Sequence, residues 1–241
     1  NKHKKDNLEK LKFVSDKIKR YFKRYLKTGG IPLVINEYEK HNTIPTYIYE
    51  LYYSWIIGDV FKEGKNEQTL KEVIKTIIET SATAVSWDTL AKKSSIKSHL
   101  TVSSYVELLS NLLVAFPVFF RDVNQNKTLY RKNKKIYFYD KFILEIFSKK
   151  LNVDISESQI VEGLVGSEIK QKNILEDVFF TNIKRETDFV INNTGIEVKY
   201  QNKIKKEDFQ NKRYFKNYLI LSKDQYEKNT VPVYLYLFKG Q

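Results

Sequence analysis

An aspartate, a glutamate and a lysine stand in two short β-like segments near the end of the chain. Glu197 and Lys199 alternate with apolar residues, and the alternation of side chains in a strand puts both on one face. A two-residue turn at 192–193 would then place Asp188 directly opposite Glu197. A four-residue loop would place it opposite Lys199. Either register gathers the three side chains on one polar face, whereas a three-residue loop would separate them.

This set of side chains is suited to binding a divalent cation. Two carboxylates at cross-strand distance repel each other, and Mg²⁺ or Mn²⁺ suits such oxygen ligands and can bind a substrate phosphate as well. A bound ion would stabilise charge on phosphoryl oxygens and lower the pKa of an attacking water, which Lys199 would orient. Glu162 on the preceding predicted helix completes the set. Glu168 is a second candidate, although six residues along a helix it cannot share the angular position of Glu162.

The same residues are also typical of a simpler arrangement. The spacing Glu-x-Lys is common in strands, and a ladder of ion pairs on the solvent face of a hairpin would produce it without any bound metal. Asp188 and Glu162 are the residues that favour the metal site over this alternative.

The order of the predicted helices and strands that position these residues indicates an α/β unit with a mixed sheet. Apolar periodicity predicts one helix before the strands and a polar helix between the last of them. We expect helices at 159–172 and near 206–215, and strands at 178–183, 187–192, 195–200, 218–222 and 231–238.

The first third of the chain predicts a helical bundle. Apolar residues at spacings of three and four indicate helices within 1–27, 47–61 and 68–80. The glycines at 29–30 are the expected stop of the first helix.

Between the helical part and the α/β unit, the spacing of two short helices is that of a helix-turn-helix. Helices at 86–93 and 101–113 are followed by two predicted strands, 117–123 and 128–139, around a polar turn that would form a wing. The second helix offers no arginine for reading guanine, so phosphate contacts are expected rather than base contacts. A role in protein binding or as a linker is the alternative. The residues expected to contact DNA are Lys92, Lys93, Lys97, Lys127, Arg131, Lys132, Lys134 and Lys135.

The amino-acid composition excludes several kinds of site and favours one class of partner. The chain of 241 residues has three histidines and no cysteine. The absence of cysteine excludes disulfides, thiol nucleophiles and zinc sites with thiolate ligands. A formal net charge of +13 favours nucleic acid as partner, although lysines that only keep an aromatic-rich chain in solution would give the same balance. No apolar run is long enough for a membrane span, and no signal peptide is recognisable. We therefore expect a cytoplasmic protein that lacks its true N-terminus, because the chain begins with Asn1.

Several motifs carry a resemblance to a known family. Asp188 and the Glu197-x-Lys199 triplet, behind a helix with Glu162, resemble the signature of PD-(D/E)XK nucleases. Further segments resemble, in order, the C-terminal part of prokaryotic, notably archaeal, AAA-type ATPases that end in a nuclease-like domain. These segments are 29–38, 55–59, 85–87, 132–140 and 161–163.

The resemblance implies roles and an organisation. Glu162, Asp188 and Glu197 would be metal ligands, and Lys199 the catalytic lysine. It implies a helical linker in residues 1–80, a winged helix in 81–150 and a restriction-endonuclease-like mixed-sheet domain in 151–241. ATP would bind only through an N-terminal domain before Asn1, because the chain itself contains no P-loop sequence.

The leading hypothesis is a DNA-binding C-terminal part of such an ATPase, with a Mg²⁺-dependent or Mn²⁺-dependent DNA endonuclease domain. A catalytically inactive nuclease fold that binds DNA or regulates is the second hypothesis. A protein-binding adaptor that uses its tyrosine-rich helices is the third. The partners expected are DNA and further copies of the chain in a homo-oligomer, with no membrane association.

Overall fold

The structure, a computed structural model, describes residues 14–173 and 176–239. Within these residues the chain is a mixed α/β fold, as predicted, in which helices pack around one mixed β-sheet. The α-helices are α1 (Ser15–Thr28), α2 (Pro32–His41), α3 (Thr46–Lys62), α4 (Glu67–Glu79), α5 (Trp87–Lys93), α6 (His99–Asn111), α7 (Lys141–Leu151), α8 (Glu157–Lys172) and α9 (Val233–Lys239).

The first part of the chain is helical, as its periodicity predicts. Helix α1 buries Ile18 and Phe22 from the apolar stripe of the sequence. It ends at Gly29, whose φ of 67° is a conformation that glycine adopts without strain. The part of the predicted first helix that covers 1–13 lies outside the described residues.

The predicted pair of short helices is present, followed by the predicted hairpin. Helix α5 begins where the Ser86 hydroxyl accepts a hydrogen bond from the Thr89 N–H at 3.0 Å, and α6 begins two residues before the predicted start. The hairpin turn falls at 123–126, close to the predicted wing turn. Its returning strand is interrupted, because pairing stops after Thr128 and resumes at Lys134.

The strands form one sheet of eight within the described part of the chain, in the order β2-β1-β4-β5-β6-β7-β8, with β3 also pairing with β1. The β4, β5 and β6 strands are antiparallel neighbours, whereas β1 with β4, β6 with β7, and β7 with β8 are parallel. The bounds are β1 (Ala115–Asp122), β2 (Lys127–Thr128), β3 (Lys134–Phe138), β4 (Val178–Asn182), β5 (Glu186–Ile191), β6 (Thr194–Lys199), β7 (Asn217–Ser222) and β8 (Thr230–Pro232).

The hairpin and the C-terminal strands share this sheet. Val118 of β1 pairs in parallel with Val178 of β4, so the pairing crosses the predicted domain boundary at residue 150. Side chains of the hairpin therefore meet side chains of the last ninety residues on one surface. Lys135 of β3 thereby comes close to acidic residues of the C-terminal strands.

The predicted strand at 231–238 is wrong for most of its length. Strand β8 ends at Pro232, and α9 follows directly. Three consecutive apolar residues, Val233, Tyr234 and Leu235, are all buried, which fits a helix packed against α1 and α8 better than a strand with one exposed face. The polar segment near 206–215 forms two short 3₁₀ helices, Lys206–Phe209 and Lys212–Tyr214.

Hydropathy along the helices bears on membrane association. Among the residues that the structure describes, no helix combines the length and the apolar character needed to cross a bilayer.

Candidate active site

The β5–β6 hairpin has the register that gathers the polar residues. Ile191 pairs with Thr194 and Phe189 pairs with Ile196, so the turn has two residues. The first of these, Asn192, has a φ of 51°, which asparagine tolerates better than most residues. The two-residue turn is therefore confirmed.

Asp188 is the centre of the resulting cluster. Only 6% of the residue is exposed. Its Oδ2 accepts a hydrogen bond from the Val198 N–H on β6 at 2.8 Å, and its Oδ1 accepts one from the Lys135 ammonium at 2.9 Å. The hairpin and a third strand therefore fix this carboxylate from two sides.

Glu162 reaches the cluster from α8, as predicted. The helix begins with a capping box between Ser156 and Gln159, and it lies close to the sheet because Gly166 faces the Phe189 ring. The Glu162 Oε1 accepts hydrogen bonds from the Lys135 ammonium at 2.9 Å and from the Tyr137 hydroxyl. Burial, and then the charge of Asp188, raise the pKa of Glu162 to about 7.

Glu197 and Lys199 of β6 are the remaining members of the cluster. The Lys199 ammonium lies 2.7 Å from the Glu197 Oε1, and Lys199 is only half-buried. The other oxygen of Glu197, Oε2, is buried and has no hydrogen-bond partner in residues 14–173 and 176–239. Burial, followed by the charge of Asp188, raises the pKa of Glu197 to about 8.

A small cleft opens beside these two residues. Its free volume is about 20 Å³, enough for one water molecule or ion, and Glu197, Lys199, Glu186 and Asp208 are among its lining residues. The first 3₁₀ segment forms one wall. Asn211 anchors this region, because its side-chain amide donates to the Thr187 hydroxyl at 2.8 Å and to the Arg185 carbonyl at 2.7 Å.

Lys135 is an unexpected member of this cluster. We expected it on a DNA-binding wing, and that placement is wrong, because the residue is fully buried on β3. Its ammonium lies 2.9 Å from Glu162, 2.6 Å from Glu186 and 2.9 Å from Asp188. Burial disfavours this ammonium, but the carboxylates outweigh that effect and raise the pKa of Lys135 well above its usual range.

Lys134 is also buried, so its expected place on the DNA-binding surface is wrong too. Its ammonium lies 4.3 Å from the centre of the Trp87 ring and has no hydrogen-bond partner within the described part of the chain. Burial lowers the pKa of Lys134 to about 8.

Comparison with protein families adds one finding. A family model described as a domain of unknown function, DUF8612, matches residues 19–153, more than half of the chain. The chain belongs to the DUF8612 family. The searches of curated proteins and of solved structures gave no match. The residues matched by DUF8612 include Lys135 and end before Glu162, so most of the acidic cluster lies outside the match.

The remaining basic residues of the predicted DNA surface are exposed. They lie on or next to α5 and around the hairpin turn. This group consists of Lys92, Lys93, Lys97, Lys127, Arg131 and Lys132.

A second group of exposed cations lies in the segments before β5 and between β6 and β7, and it was missed. Lys184 and Arg185 precede β5, and others follow β6 along the 3₁₀ segments. The sequence signal was the run of lysines directly after Glu197-x-Lys199, which we took only as a polar helix. The cations of this second group are Lys184, Arg185, Lys203, Lys205, Lys206, Lys212, Arg213 and Lys216.

Glu168 lies apart from the cluster, as its helical position requires. Its carboxylate forms an ion pair with Lys172 one turn further along α8, at 2.8 Å.

The donor set of the cluster suits a hard divalent cation in its chemistry. Glu162, Asp188 and Glu197 supply carboxylate oxygens from three elements, and no described residue donates a hydrogen bond to the Glu197 Oε2. Across residues 14–173 and 176–239, no three acidic, histidine or cysteine side chains stand ready as a metal-binding group. The fit to such an ion thus lies in the type of ligand, and Lys135 holds two of the three carboxylates, Glu162 and Asp188.

Proposed function

We propose that this chain is the DNA-handling C-terminal part of an AAA-type ATPase and that its acidic cluster hydrolyses DNA phosphodiesters with Mg²⁺ or Mn²⁺. The observation that carries the proposal is the convergence of Glu162, Asp188, Glu197 and Lys199 from one helix and two paired strands. Their order along the chain is also that of the PD-(D/E)XK signature, which supports a nuclease-like identity for the C-terminal strands.

The roles follow from the position of each side chain. Asp188 and Glu197 would hold the cation, with Glu162 as a third oxygen ligand. The bound ion would supply charge stabilisation for the phosphoryl oxygens and a more acidic water. Lys199, half-exposed beside the cleft, is the residue placed to orient that water and to stabilise developing negative charge.

Binding of the nucleic acid is assigned to the exposed cations. We propose that α5, α6 and the β1–β3 hairpin act as a winged helix on duplex phosphates, with the cations near α5 and the hairpin turn as contacts. The second group of exposed cations, around Lys203 to Lys216, would hold the backbone near the acidic cluster. Both surfaces predict binding that weakens steeply with salt, because each phosphate contact releases counterions.

One observation favours a catalytically inactive DNA-binding module as the second candidate. Lys135 already contacts Glu162, Asp188 and Glu186, so these acids form an ion-pair network that needs no metal. In that case the same fold would bind DNA and the cluster would only hold the sheet and α8 together.

Cleavage assays separate the two candidates. Supercoiled, linear and branched DNA are incubated with Mg²⁺ or Mn²⁺ and with wild type, Glu197→Gln or Lys199→Met. We expect cutting by wild type and a loss on the order of a hundredfold or more in either variant. The matched controls Glu227→Gln and Lys228→Met change exposed residues outside the cluster and should cut like wild type. Absence of cutting by wild type, or equal cutting by all five proteins, argues for the inactive module.

A further inference from the structure

Lys135 already occupies the position of a cation among the carboxylates. Its ammonium contacts one oxygen each of Glu162, Glu186 and Asp188, all within 3 Å. An ammonium has three N–H donors, so three carboxylates can satisfy it completely. The Lys135 ammonium, held on β3, thus neutralises part of the negative charge of these acids, as a bound metal ion would.

The neighbouring residue shows that burial of a lysine at this strand does not by itself produce such contacts. Lys134 is as completely buried as Lys135 but points to the other face of β3, against Trp87. Among the residues that the structure describes, it forms no ion pair with a carboxylate and its ammonium has no hydrogen-bond partner. The two consecutive lysines are therefore a matched pair in type, strand and burial that differs in contact with the acids.

The charge balance of the cluster indicates that the Lys135 ammonium affects the affinity for a divalent cation. Four carboxylates, Glu162, Glu186, Asp188 and Glu197, meet two ammonium groups, from Lys135 and Lys199. Removing either ammonium makes the net charge of the cluster more negative by one, whichever of the four acids are ionised. Partly buried charges interact more strongly than charges in water, so this change should be measurable as cation affinity.

We propose that Lys135 is a positioning residue that acts as a built-in cation: it holds the three carboxylates together when no divalent ion is bound and competes with such an ion for the same oxygens. The Glu162 Oε1 and Asp188 Oδ1 that it contacts belong to the ligands named under the proposed function. This inference therefore rests on that cation site, but not on DNA cleavage. Its consequence is a divalent-ion affinity lower than the carboxylates alone would give.

The test is the binding of Mn²⁺ alone, without DNA, to the full chain by titration calorimetry. Lys135→Met removes the charge while keeping a long side chain, and we expect it to bind Mn²⁺ about tenfold more tightly than wild type, or more. Lys135→Arg keeps the charge and should bind like wild type. Lys134→Met removes the equally buried neighbour and should also bind like wild type. A second readout is thermal unfolding, in which Mn²⁺ should raise the Tm of Lys135→Met more than that of wild type.

Lys135→Met removes the ammonium that contacts three carboxylates, so its folding is measured both with and without Mn²⁺. If Lys135→Met folds only when Mn²⁺ is present, the ion has replaced the ammonium and the proposal is supported. If it does not fold in either condition, the double variant Lys135→Met/Glu186→Gln restores the formal charge of wild type and is titrated instead. Tighter Mn²⁺ binding by the double variant than by Glu186→Gln supports the proposal, and equal binding overturns it.

The outcomes distinguish this inference from the proposed function. If wild type binds Mn²⁺ and Lys135→Met binds it no more tightly, the role of Lys135 is overturned while the cation site stands. If Lys135→Met binds more tightly but wild type does not cut DNA, the nuclease proposal fails and the role of Lys135 stands. If neither protein binds Mn²⁺, both fail.

Discussion

Asp188 and Val198 are joined across the β5–β6 hairpin by a hydrogen bond from the Val198 N–H to the Asp188 Oδ2, 2.8 Å long. The bond depends on the register, because a shift by one residue would turn Asp188 to the opposite face of the sheet. It therefore links the geometry of a two-residue turn to the position of the central carboxylate of the candidate site.

Asn192 is the turn residue whose conformation supports that register. Its φ of 51° suits asparagine or glycine but strains a β-branched residue. We expect Asn192→Val to lower the free energy of unfolding by roughly 1–2 kcal/mol and Asn192→Gly to change it little. Urea unfolding of the three proteins measures both effects, and equal stability of the valine variant would contradict this account of the turn.

The buried glutamates predict a pH dependence of stability. The pKa values of Glu197 and Glu162 are raised from 4.5 to about 8 and about 7 in the folded chain. Between these values and 4.5 the folded state binds more protons than the unfolded state, so stability is lost as the pH rises. We expect the unfolding free energy of the metal-free chain to fall between about pH 5 and pH 8.

Denaturant unfolding at several pH values within this window measures the slope. Glu197→Gln should flatten it, because the amide has no charge to bury, whereas the exposed control Glu227→Gln should keep the wild-type slope. A wild-type stability that is constant or rises across the window would show that these carboxyls do not remain protonated as their burial requires.

Gly166 and Gly58 provide a matched test of how closely α8 approaches the sheet. A methyl group at Gly166 would lie 2.9 Å from the Phe189 ring, whereas one at Gly58 on α3 would meet nothing within 4 Å. We expect Gly166→Ala to cost roughly 1–3 kcal/mol of stability and to displace Glu162. Gly58→Ala should stabilise by about 0.5–1 kcal/mol, because alanine favours a helix. Thermal or urea unfolding measures both, and a neutral Gly166→Ala would mean that α8 can shift freely.

The cations of the hairpin turn predict the salt dependence of DNA binding. Replacing Lys127, Arg131 and Lys132 by alanine should reduce the slope of log affinity against log salt by about 0.9 for each side chain that contacts a phosphate. Fluorescence anisotropy with labelled duplex over a range of salt concentrations measures this slope. A control with the same charge change replaces Lys40, Lys62 and Lys75, exposed lysines of the helical part. If both sets of substitutions change the slope equally, the hairpin lysines and arginine contribute only through the overall charge of the protein and not through specific phosphate contacts.

The local pattern of the sequence was sufficient for much of the candidate site. Strand alternation predicted that Asp188, Glu197 and Lys199 share one face in either of two registers, because alternation depends only on neighbours in the chain, and the structure shows the register with the two-residue turn. The helix carrying Glu162 was predicted from its apolar periodicity, and its contact with the cluster follows the expected order of elements. The last predicted strand was wrong because a run of consecutive apolar residues does not distinguish a strand from a buried helix.

Lys135 shows what only the tertiary structure decided. Alternation places Lys134 and Lys135 on opposite faces of a strand, but it does not tell which face is buried or what lies opposite. The partners of Lys135 are 27 and 53 residues further along the chain: Glu162 is near because α8 packs on β3, and Asp188 is near because β1 pairs with β4 in the same sheet. A lysine read as a surface charge from its neighbours is buried here because distant carboxylates compensate the cost of removing it from water.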